Sequence, residues 1–320
     1  MSDYIKHDHQ HDGIDRKGFL TCMAWAGTGV VWALSGGRVN SVALADTDRA
    51  AHAAATADFS FVQISDSHIG FHQAANKDVA GTFQKAIARI NALAQRPTFV
   101  IHTGDHVHLS KVAEFDAVKQ LIGTIKTDRV FHTPGEHDVF VDQGKRYRQF
   151  FGSPSGKDYY SFDYKGVHVL VLANVQQAEN SGGITGLGLL GAEQLAFIKK
   201  DLARLSADTP LVIAGHVPLL AVYPKWGWAT EDSAQVISWL KRFSSVTVLN
   251  GHIHQILSKS EGNITMHTAA STAFPQHAPG QVAPGPMTVP AGKLLSTLGI
   301  RTVQFMQGQS SLALKDESLA

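Results

Sequence analysis

Five short runs of polar residues along the chain carry the side chains that hold metal ions in proteins. Each run follows a short apolar stretch, and these stretches cover residues 59–64, 99–103, 130–133, 211–214 and 246–249. The runs themselves are Asp66-Ser67-His68, Gly104-Asp105, Gly135-Glu136-His137-Asp138, Gly215-His216 and Gly251-His252-Ile253-His254. Carboxylates and imidazoles without a thiolate suit Zn, Mn, Fe or Ni. Three carboxylates with several imidazoles are more than one cation needs, so the pattern predicts a two-metal centre.

The apolar stretches explain how runs so far apart in the sequence can share one site. They are too short for helices and rich in Val, Ile and Phe, which is typical of strands buried on both faces. In open sheets, the loops that leave the carboxyl ends of parallel strands converge on one rim. We therefore expect all five runs to meet at one edge of the fold.

The segments between these strands show helical and hairpin patterns. One predicted helix carries Val79, Phe83, Ile87, Ile90 and Ala94 on one face and ends before Pro97. Further helices are predicted over residues 112–125, 195–205 and 236–243, a hairpin over 159–164 and 167–172, and a glycine-rich loop over 181–191. Strands that alternate with helices, together with a hairpin, predict an α/β fold, a two-sheet αββα sandwich.

Composition is consistent with a soluble catalytic domain. The chain has 320 residues, 44% of them hydrophobic, and can bury a large core. Its formal net charge of +1 gives no support for an extended nucleic-acid surface, so nucleic acid is not expected as a partner. Cys22 is the single cysteine, which excludes disulfides within the chain.

The first 45 residues have the order of an export signal. A polar start with Arg16 and Lys17 leads into an apolar segment over residues 19–34 and then into small residues that end at Ala45. The Arg-Lys-x-Phe-Leu run resembles a twin-arginine signal with lysine in place of the second arginine, so the general secretory route and a membrane anchor stay open. We expect residues 1–45 to be removed, leaving an exported, periplasmic or extracellular protein without a membrane span. Residues 46–58 are an Ala-rich linker, and the folded domain is expected over 59–320.

The ordered set of the five runs resembles the calcineurin-like metallophosphoesterase superfamily, from Asp66 through His254. The resemblance implies two divalent or mixed-valence transition-metal ions, with Mn, Fe and Zn as the candidates. It implies that the first ion is held by Asp66, His68, Asp105 and His254. The second would be held by His216, His252 and Glu136, with Asp105 as the bridge between the two ions.

The resemblance also implies a reaction and two catalytic residues. A hydroxide held between the two cations attacks phosphorus in line with the leaving alkoxide. His137 is then the proton donor or charge stabiliser at the leaving group. Asp138 is expected to fix the tautomer of His137 through its other ring nitrogen.

Glu136 is the main departure from the superfamily pattern, which has asparagine at this position. Glutamate adds a negative charge and one methylene group, and it has no amide donor for a phosphate oxygen. It should tighten cation binding and reduce the Lewis acidity of the second ion. We therefore expect an active enzyme with an altered metal preference.

Several residues near the runs are candidates for lining the substrate site. They are His72, which follows the first run; His108, three residues after Asp105; and Trp226 and Trp228, which follow His216. The sequence is equally compatible with a solvated position for His108. It is also equally compatible with packing of the two tryptophans beneath their loop. The Pro- and Gly-rich segment 274–290 cannot be a helix or central strand and is predicted to be a long surface loop that covers the pocket. His102, His106, His132 and His168 are predicted to be structural.

The predicted function is hydrolysis of a small-molecule phosphate ester, either a phosphodiester or a broad range of esters. Two alternatives stay open. One is an exported metal-binding protein whose catalysis is impaired by Glu136, although a pure metal store has no need of a leaving-group acid such as His137. The other is a nuclease of the same superfamily, which the near-neutral charge disfavours.

Overall fold

The fold was examined in a computed structural model of the chain. It describes residues 30–35, 38–43, 59–153, 155–176, 188–223, 225–278, 282–306, 309 and 311–320, with side chains from residue 59 onward. The predicted export signal lies outside the described residues over 1–29, 36–37 and 44–45, as do the linker 46–58 and the part of the glycine-rich loop over 181–187. None of the described helices is both long and apolar enough to span a membrane.

Strands account for most of the regular structure, and they form two large sheets and one separate hairpin. In chain order they are β1 Val30–Ser35, β2 Arg38–Ala43, β3 Phe59–Ile64, β4 Phe99–His102, β5 Arg129–His132, β6 Tyr160–Tyr164, β7 Val167–Val171, β8 Leu211–Ala214, β9 Val246–Asn250, β10 Leu257–Glu261, β11 Ile264–Thr268, β12 Gly299–Phe305 and β13 Ala313–Ser318. The order in the first large sheet is β10-β11-β9-β8-β7-β6, and in the second it is β13-β12-β3-β4-β5. Strands β1 and β2 pair only with each other.

Parallel strands form the centre of each large sheet. In the first, β7, β8, β9 and β11 are parallel neighbours, and in the second β3, β4 and β5 are. Antiparallel strands lie outside this parallel part: β6 and β10 form the two edges of the first sheet, and β12 and β13 lie on one side of the second. The carboxyl ends of the parallel strands therefore lie along one rim of each sheet.

The helices cover the outer faces of the two sheets. They are α1 Val79–Asn91, α2 Val112–Ile122, α3 Glu136–Val139, α4 Lys145–Phe151, α5 Ala192–Ala203 and α6 Ser233–Leu240, followed by a short 3₁₀ turn over Leu294–Thr297. The side chain of Asp78 caps the start of α1 by accepting a hydrogen bond from the backbone N–H of Gly81 at 2.9 Å. The apolar faces of α1 and α2 pack on one sheet, and those of α5 and α6 pack on the other.

Side chains along each strand point alternately to its two faces, and this alternation produces three hydrophobic layers. In β3, Phe59 and Phe61 point between the sheets, whereas Val62 and Ile64 point towards α1 and α2. Strand β8 divides its side chains in the same way, with Val212 among those between the sheets. The molecule is thus an α/β sandwich with the layer order αββα, which confirms the predicted fold class.

Most of the predicted elements are present with small shifts at their ends. The hairpin predicted over 159–172 is formed by β6 and β7, and the helices predicted over 112–125, 195–205 and 236–243 correspond to α2, α5 and α6. The segment 274–290 has no helix and no strand among its described residues, and a single antiparallel bridge joins Gln276 to Pro286. Its prolines explain this, because they lack the backbone donor that a ladder needs.

Candidate metal centre

All five sequence runs meet at one rim of the sandwich. The five-stranded sheet contributes the loops after β3, β4 and β5, and the six-stranded sheet contributes those after β8 and β9. Their seven predicted ligands are all buried: Asp66, His68, Asp105, Glu136, His216, His252 and His254. Residues up to 188 positions apart in the sequence therefore lie within contact distance of one another, as Asp66 and His254 do.

One group of donor atoms lies around Asp66. Its Oδ1 atom is 3.2 Å from Nε2 of His254, and Nε2 of His254 is 3.1 Å from Nε2 of His68. These three side chains form one of the clusters that could hold a metal ion. The arrangement agrees with the ligand set predicted for the first ion.

A second group lies around Glu136. Its Oε2 atom is 2.9 Å from Nε2 of His216, and its Oε1 atom is 2.8 Å from Nδ1 of His252. These three residues form another candidate metal cluster. The longer glutamate side chain thus reaches the position that the sequence predicted for a ligand of the second ion.

Asp105 lies between the two groups. Its Oδ2 atom is 3.4 Å from Nε2 of His68 in the first group and 3.3 Å from Nε2 of His216 in the second. Its other oxygen accepts a hydrogen bond from the backbone N–H of His137 at 2.9 Å. This is the position that a bridging carboxylate requires.

Backbone carbonyls orient two of the imidazoles towards the centre. His216 donates from Nδ1 to the carbonyl of Thr103, and His254 donates from Nδ1 to that of Phe274, each at 2.7 Å. In both rings the proton is therefore held at Nδ1, and Nε2 offers its lone pair to the cluster. This is the arrangement by which proteins prepare histidine for a metal ion.

Several buried donor atoms at the centre have no hydrogen-bond partner among the described residues. They are Oδ2 of Asp66, Oε2 of Glu136 and Nε2 of His216. The last two atoms face each other at 2.9 Å but share no hydrogen bond, because the proton of His216 is held at Nδ1 by the carbonyl of Thr103. Buried polar atoms of this kind are costly unless they are satisfied. A pair of divalent cations would satisfy them, so the residues present fit a two-metal centre.

The pKa shifts of the buried groups also indicate a site for divalent cations. Burial raises the pKa of Asp105, and the adjacent Glu136 carboxylate raises it further. Burial also works against the charged form of Glu136, but His252 and His216 outweigh it and hold the pKa of this carboxyl well below its usual range. Burial lowers the pKa of His137, but Asp105 and Glu136 together raise it above its usual value. Concentrated negative charge in a buried site is the environment that binds divalent cations.

The backbone at the centre is held in an uncommon conformation. Asp66, His68, Asp105, His252 and His254 all have positive φ, between 41° and 66°. Non-glycine residues rarely adopt this left-handed region, and such residues cluster at functional sites. Five sharp local turns thus direct five ligands inward.

Glycines next to the ligands allow the loops to approach closely. A Cβ atom on Gly104 would lie 2.5 Å from Nδ1 of His216, and Gly104 itself has a φ of 95°. A Cβ atom on Gly251 would lie 2.7 Å from Oδ2 of Asp66. Gly104 is therefore required by packing as well as by its positive φ, and Gly251 is required by packing.

His137 lies beside the donor groups with one ring nitrogen already occupied. Its Nδ1 atom donates to the carbonyl of His108 at 2.7 Å, and its ring stacks on that of His108 with centroids 4.8 Å apart. Both histidines line the cavity above the centre. Since Nδ1 is held by the carbonyl, Nε2 is the nitrogen that can serve a substrate.

The predicted role of Asp138 is wrong. Asp138 does not contact the ring of His137; its Oδ2 atom accepts hydrogen bonds from Nδ1 of His106 and from the N–H of Gly135, both at 2.9 Å. Its Oδ1 atom accepts from the N–H of Val107 at 3.1 Å. The single turn of α3 directs neighbouring side chains apart, so Asp138 points into the protein and joins the loops after β4 and β5. His106, fully buried, has the structural role that the sequence predicted.

A cavity of about 440 Å³ opens above the centre, and it contains only some of the predicted lining residues. His108 and Trp228 line it, and the Trp228 ring lies 4.5 Å from that of His252. Trp226, which was predicted to line the cavity, is not among its lining residues; its ring packs on Trp228 with centroids 5.1 Å apart. The prediction for His72 is wrong, because this side chain is exposed and bonds the carbonyl of Lys77 at 2.6 Å. Its two neighbours in the chain line the wall instead.

Sequence reasoning missed four residues of the cavity wall: Phe71, Gln73, Phe274 and Gln276. Phe71 and Gln73 flank His72, and a search of the whole loop after the first run could have found them. Phe274 and Gln276 begin the segment 274–290, which also contributes Pro284, Gly285 and Pro286 to the wall. This segment therefore contributes five described residues to the wall of the pocket that it was expected to cover.

Comparisons with known proteins agree with this geometry. Residues 59–256 match the family model of the calcineurin-like phosphoesterases. The glycerophosphodiester phosphodiesterase GpdQ of Enterobacter lignolyticus is 23% identical over 200 residues, which are 61% of this chain and 69% of that protein.

Two solved structures share the fold. A dimetal phosphatase from Danio rerio superposes with a TM-score of 0.62 at 14% identity, over 82% of this chain and 97% of that one. The purple acid phosphatase PPD1 from yellow lupin (Lupinus luteus) seeds superposes with a TM-score of 0.57 at 15% identity, over 82% of this chain and 51% of that one.

Proposed function

Since the chain belongs to the calcineurin-like phosphoesterase family of dimetal, metal-dependent phosphoric ester hydrolases, we propose that it hydrolyses a small phosphodiester. In this proposal Asp66, His68 and His254 hold one ion, Glu136, His216 and His252 hold the other, and Asp105 bridges them. The distances within the two donor groups and the unpartnered buried atoms support these assignments. When bound, two cations lower the pKa of a water molecule and neutralise charge on the phosphate oxygens.

The side chains of the protein orient the substrate and supply a proton to the leaving group. The carbonyl of His108 holds Nδ1 of His137, so that Nε2 faces the cavity and can donate a proton to the departing alkoxide oxygen. The walls formed by Phe71, Phe274 and Trp228 exclude water from one side of the substrate. Donation at the leaving group matters most for alcohols that are poor leaving groups.

The preference for a diester rests on the charge of the cavity wall. No lysine or arginine lines the cavity among the residues that the structure describes. Two arginines that follow the third run already have partners elsewhere: Arg146 donates to the carbonyl of Ser110, and Arg148 pairs with Asp158. A monoester carries a second negative charge that needs a cationic partner, whereas a diester has only one charge and a second ester group that apolar walls can accommodate.

We expect kcat/KM for bis(p-nitrophenyl) phosphate to exceed that for p-nitrophenyl phosphate by at least about tenfold with Mn, Zn or Fe, because the monoester dianion finds no cation in the wall. The two esters have the same leaving group, so the ratio reports on the rest of the substrate. Gln73→Lys places a cation in the same wall and should shift the ratio towards the monoester. A wild-type preference for the monoester would contradict the proposal.

Two features of the site argue against the alternatives. A pure metal-binding protein has no use for His137, whose free nitrogen faces the cavity. A nuclease needs cationic contacts along a phosphate backbone, and the described wall has none. Hydrolysis of a small ester is therefore the function that the site supports best.

We also propose that residues 1–45 are an export signal, residues 46–58 a linker and residues 59–320 the catalytic domain, which acts in the periplasm or outside the cell. The support is the order of basic, apolar and small residues in this segment. Expression of the full chain in a bacterium with both export routes should yield an exported protein that begins near residue 46, as measured by mass spectrometry after fractionation. Replacing Arg16 and Lys17 by alanine should retain it in the cytoplasm, and export that is independent of both residues and of the apolar segment would refute the assignment.

A further inference from the structure

The layer between the two sheets changes from apolar to polar at the end that carries the metal centre. Three neighbouring pairs of β3 and β12 share the face that points into this layer: Phe59 with Phe305, Phe61 with Val303, and Gln63 with Arg301. The first two pairs belong to the hydrophobic layer. Gln63 and Arg301, called the polar pair below, are as deeply buried, with Arg301 only 1% exposed.

Both side chains of the polar pair reach across the layer to the other sheet. Nε2 of Gln63 donates to the backbone carbonyl of Asn250, and Nη2 of Arg301 donates to that of Thr268, each at 3.1 Å. Asn250 and Thr268 are themselves partners in the ladder between β9 and β11. Two neighbours in the five-stranded sheet are therefore bonded to two neighbours in the six-stranded sheet.

The members of the polar pair also fix each other. Nη1 of Arg301 donates to Oε1 of Gln63 at 3.2 Å, so the Nε2 atom of this amide has to point towards Asn250. Arg301 also donates to both carboxylate oxygens of Asp316 on β13, at 2.8 and 3.0 Å. Buried polar groups that are paired in this way hold one geometry, because a shift of either sheet would leave them unsatisfied.

The metal centre depends on the alignment of the two sheets, because each proposed ion has ligands on both. Loops of the five-stranded sheet carry Asp66 and His68 for one ion and Glu136 for the other; loops of the six-stranded sheet carry His254 for the first and His216 and His252 for the second. A functional site needs its groups within about 0.5 Å of the productive geometry. Apolar packing is non-directional and does not set such an alignment by itself.

Asn250 connects the polar pair to the ligand loops. It directly precedes the run at 251–254, and its Nδ2 atom donates to the carbonyl of Gly215 at 3.0 Å. Gln63 occupies a similar place on the other sheet, three residues before Asp66. The bond between Gln63 and Asn250 therefore joins the bases of ligand loops from the two sheets.

We propose that Gln63 and Arg301 are positioning residues, which hold the two sheets in the alignment that brings both groups of metal ligands together. This proposal rests on the metal centre of the proposed function. Other bonds between the sheets at this end, such as that from His216 to the carbonyl of Thr103, involve the ligands themselves. The polar pair lies on strands, which hold positions more precisely than loops do.

The test replaces Gln63 by methionine, an unbranched side chain of similar length that has no N–H donor. Titration of the metal-free protein with Zn²⁺ in competition with a chelator measures the affinity for each ion. Both ions should bind roughly tenfold more weakly than in the wild type, which is the lower end of the effect of residues that support a ligand. They should weaken together, because each has ligands on both sheets.

Phe61→Leu is the matched control. Phe61 is fully buried on the same face of β3, two positions before Gln63, so this change reduces packing between the sheets without removing a polar contact. Phe61→Leu should lower the midpoint of thermal unfolding of the metal-free protein and keep the wild-type affinities for both ions. A purely structural role of Gln63 would instead make affinity follow stability in both variants.

The proposal is overturned by wild-type affinities in Gln63→Met, by an equal loss of affinity in Phe61→Leu, or by weakening of one ion only. If Gln63→Met does not fold, Gln63→Glu gives the same comparison, because it keeps the shape and the contact with Arg301 but has no N–H for Asn250. A wild-type protein that binds fewer than two ions would overturn both the proposed function and this proposal. A wild type that binds two ions but hydrolyses no ester would overturn the function alone.

Discussion

Replacing His137 by alanine should reduce turnover of a dialkyl phosphate by about 10²–10⁴-fold, the usual contribution of a positioned general acid. The alkoxide of such a substrate is a poor leaving group and needs a proton as its bond to phosphorus breaks. In the structure, Nδ1 of His137 is occupied by the carbonyl of His108, and its ring stacks on that of His108. The ring is therefore held rigidly with a single nitrogen free to act.

The size of the His137→Ala effect should depend on the leaving group. With a p-nitrophenyl diester the loss should be much smaller, because p-nitrophenolate leaves without protonation. The measurement is kcat for both substrates, together with metal content. His72→Ala is the matched control, because this histidine is exposed and bonded to the carbonyl of Lys77 outside the cavity wall.

A proton-donor role for His137 requires that both metal ions remain bound in the variant. His137 lies close enough to Asp105 and Glu136 to belong to a candidate metal cluster with them. Loss of an ion on replacement would therefore show that it acts as a ligand. Equal losses with good and poor leaving groups would also exclude the donor role.

Glu136→Ala should lower the metal content from two ions to one and reduce turnover by more than about 100-fold, since even residues that only support a ligand cost 10–100-fold. The reason lies in the contacts of Glu136, whose two carboxylate oxygens face His216 at 2.9 Å and His252 at 2.8 Å. Without this carboxylate, two imidazoles and the shared Asp105 would have to hold the second ion. Metal analysis after dialysis and kcat for a p-nitrophenyl diester measure both effects.

Glu136→Asn tests the effect of the negative charge at this position while keeping an oxygen ligand. Asparagine restores an oxygen ligand without the negative charge and is one methylene group shorter, so this variant should bind its second ion more weakly but with greater Lewis acidity. We expect a changed order of activity among Mn, Zn and Fe relative to the wild type. Unchanged stoichiometry, metal order and rate in both variants would show that Glu136 is not a ligand.

The sequence predicted the elements of the centre because the signals that specify them are local. A buried strand such as β3 is encoded by a short run in which four of six residues are apolar, and a ligand such as Asp66 follows it within two positions. Parallel strands bring their carboxyl ends to one rim whatever the length of chain between them. Five such pairs therefore predicted a metal centre of carboxylates and imidazoles at one rim. The helical and hairpin patterns between them predicted the αββα fold, and the resemblance to a known superfamily implied which residues hold each ion.

Other assignments depended on which surfaces meet when the two sheets pack together. The direction of Asp138 was decided by the single turn of α3 and by the presence of His106 beneath it. The orientation of Gln276 was decided by the carbonyl of His252, which belongs to a different loop.

The division between what the sequence and the tertiary structure determined has a physical reason. Residue type and short spacing determine which chemistry is available, and here they determined a metal centre of carboxylates and imidazoles. Tertiary packing decides which backbone carbonyl each ring or amide meets, because those partners come from loops that are distant in the chain. Only the folded protein therefore leaves Nε2 of His137 free at the cavity wall and turns Asp138 away from it.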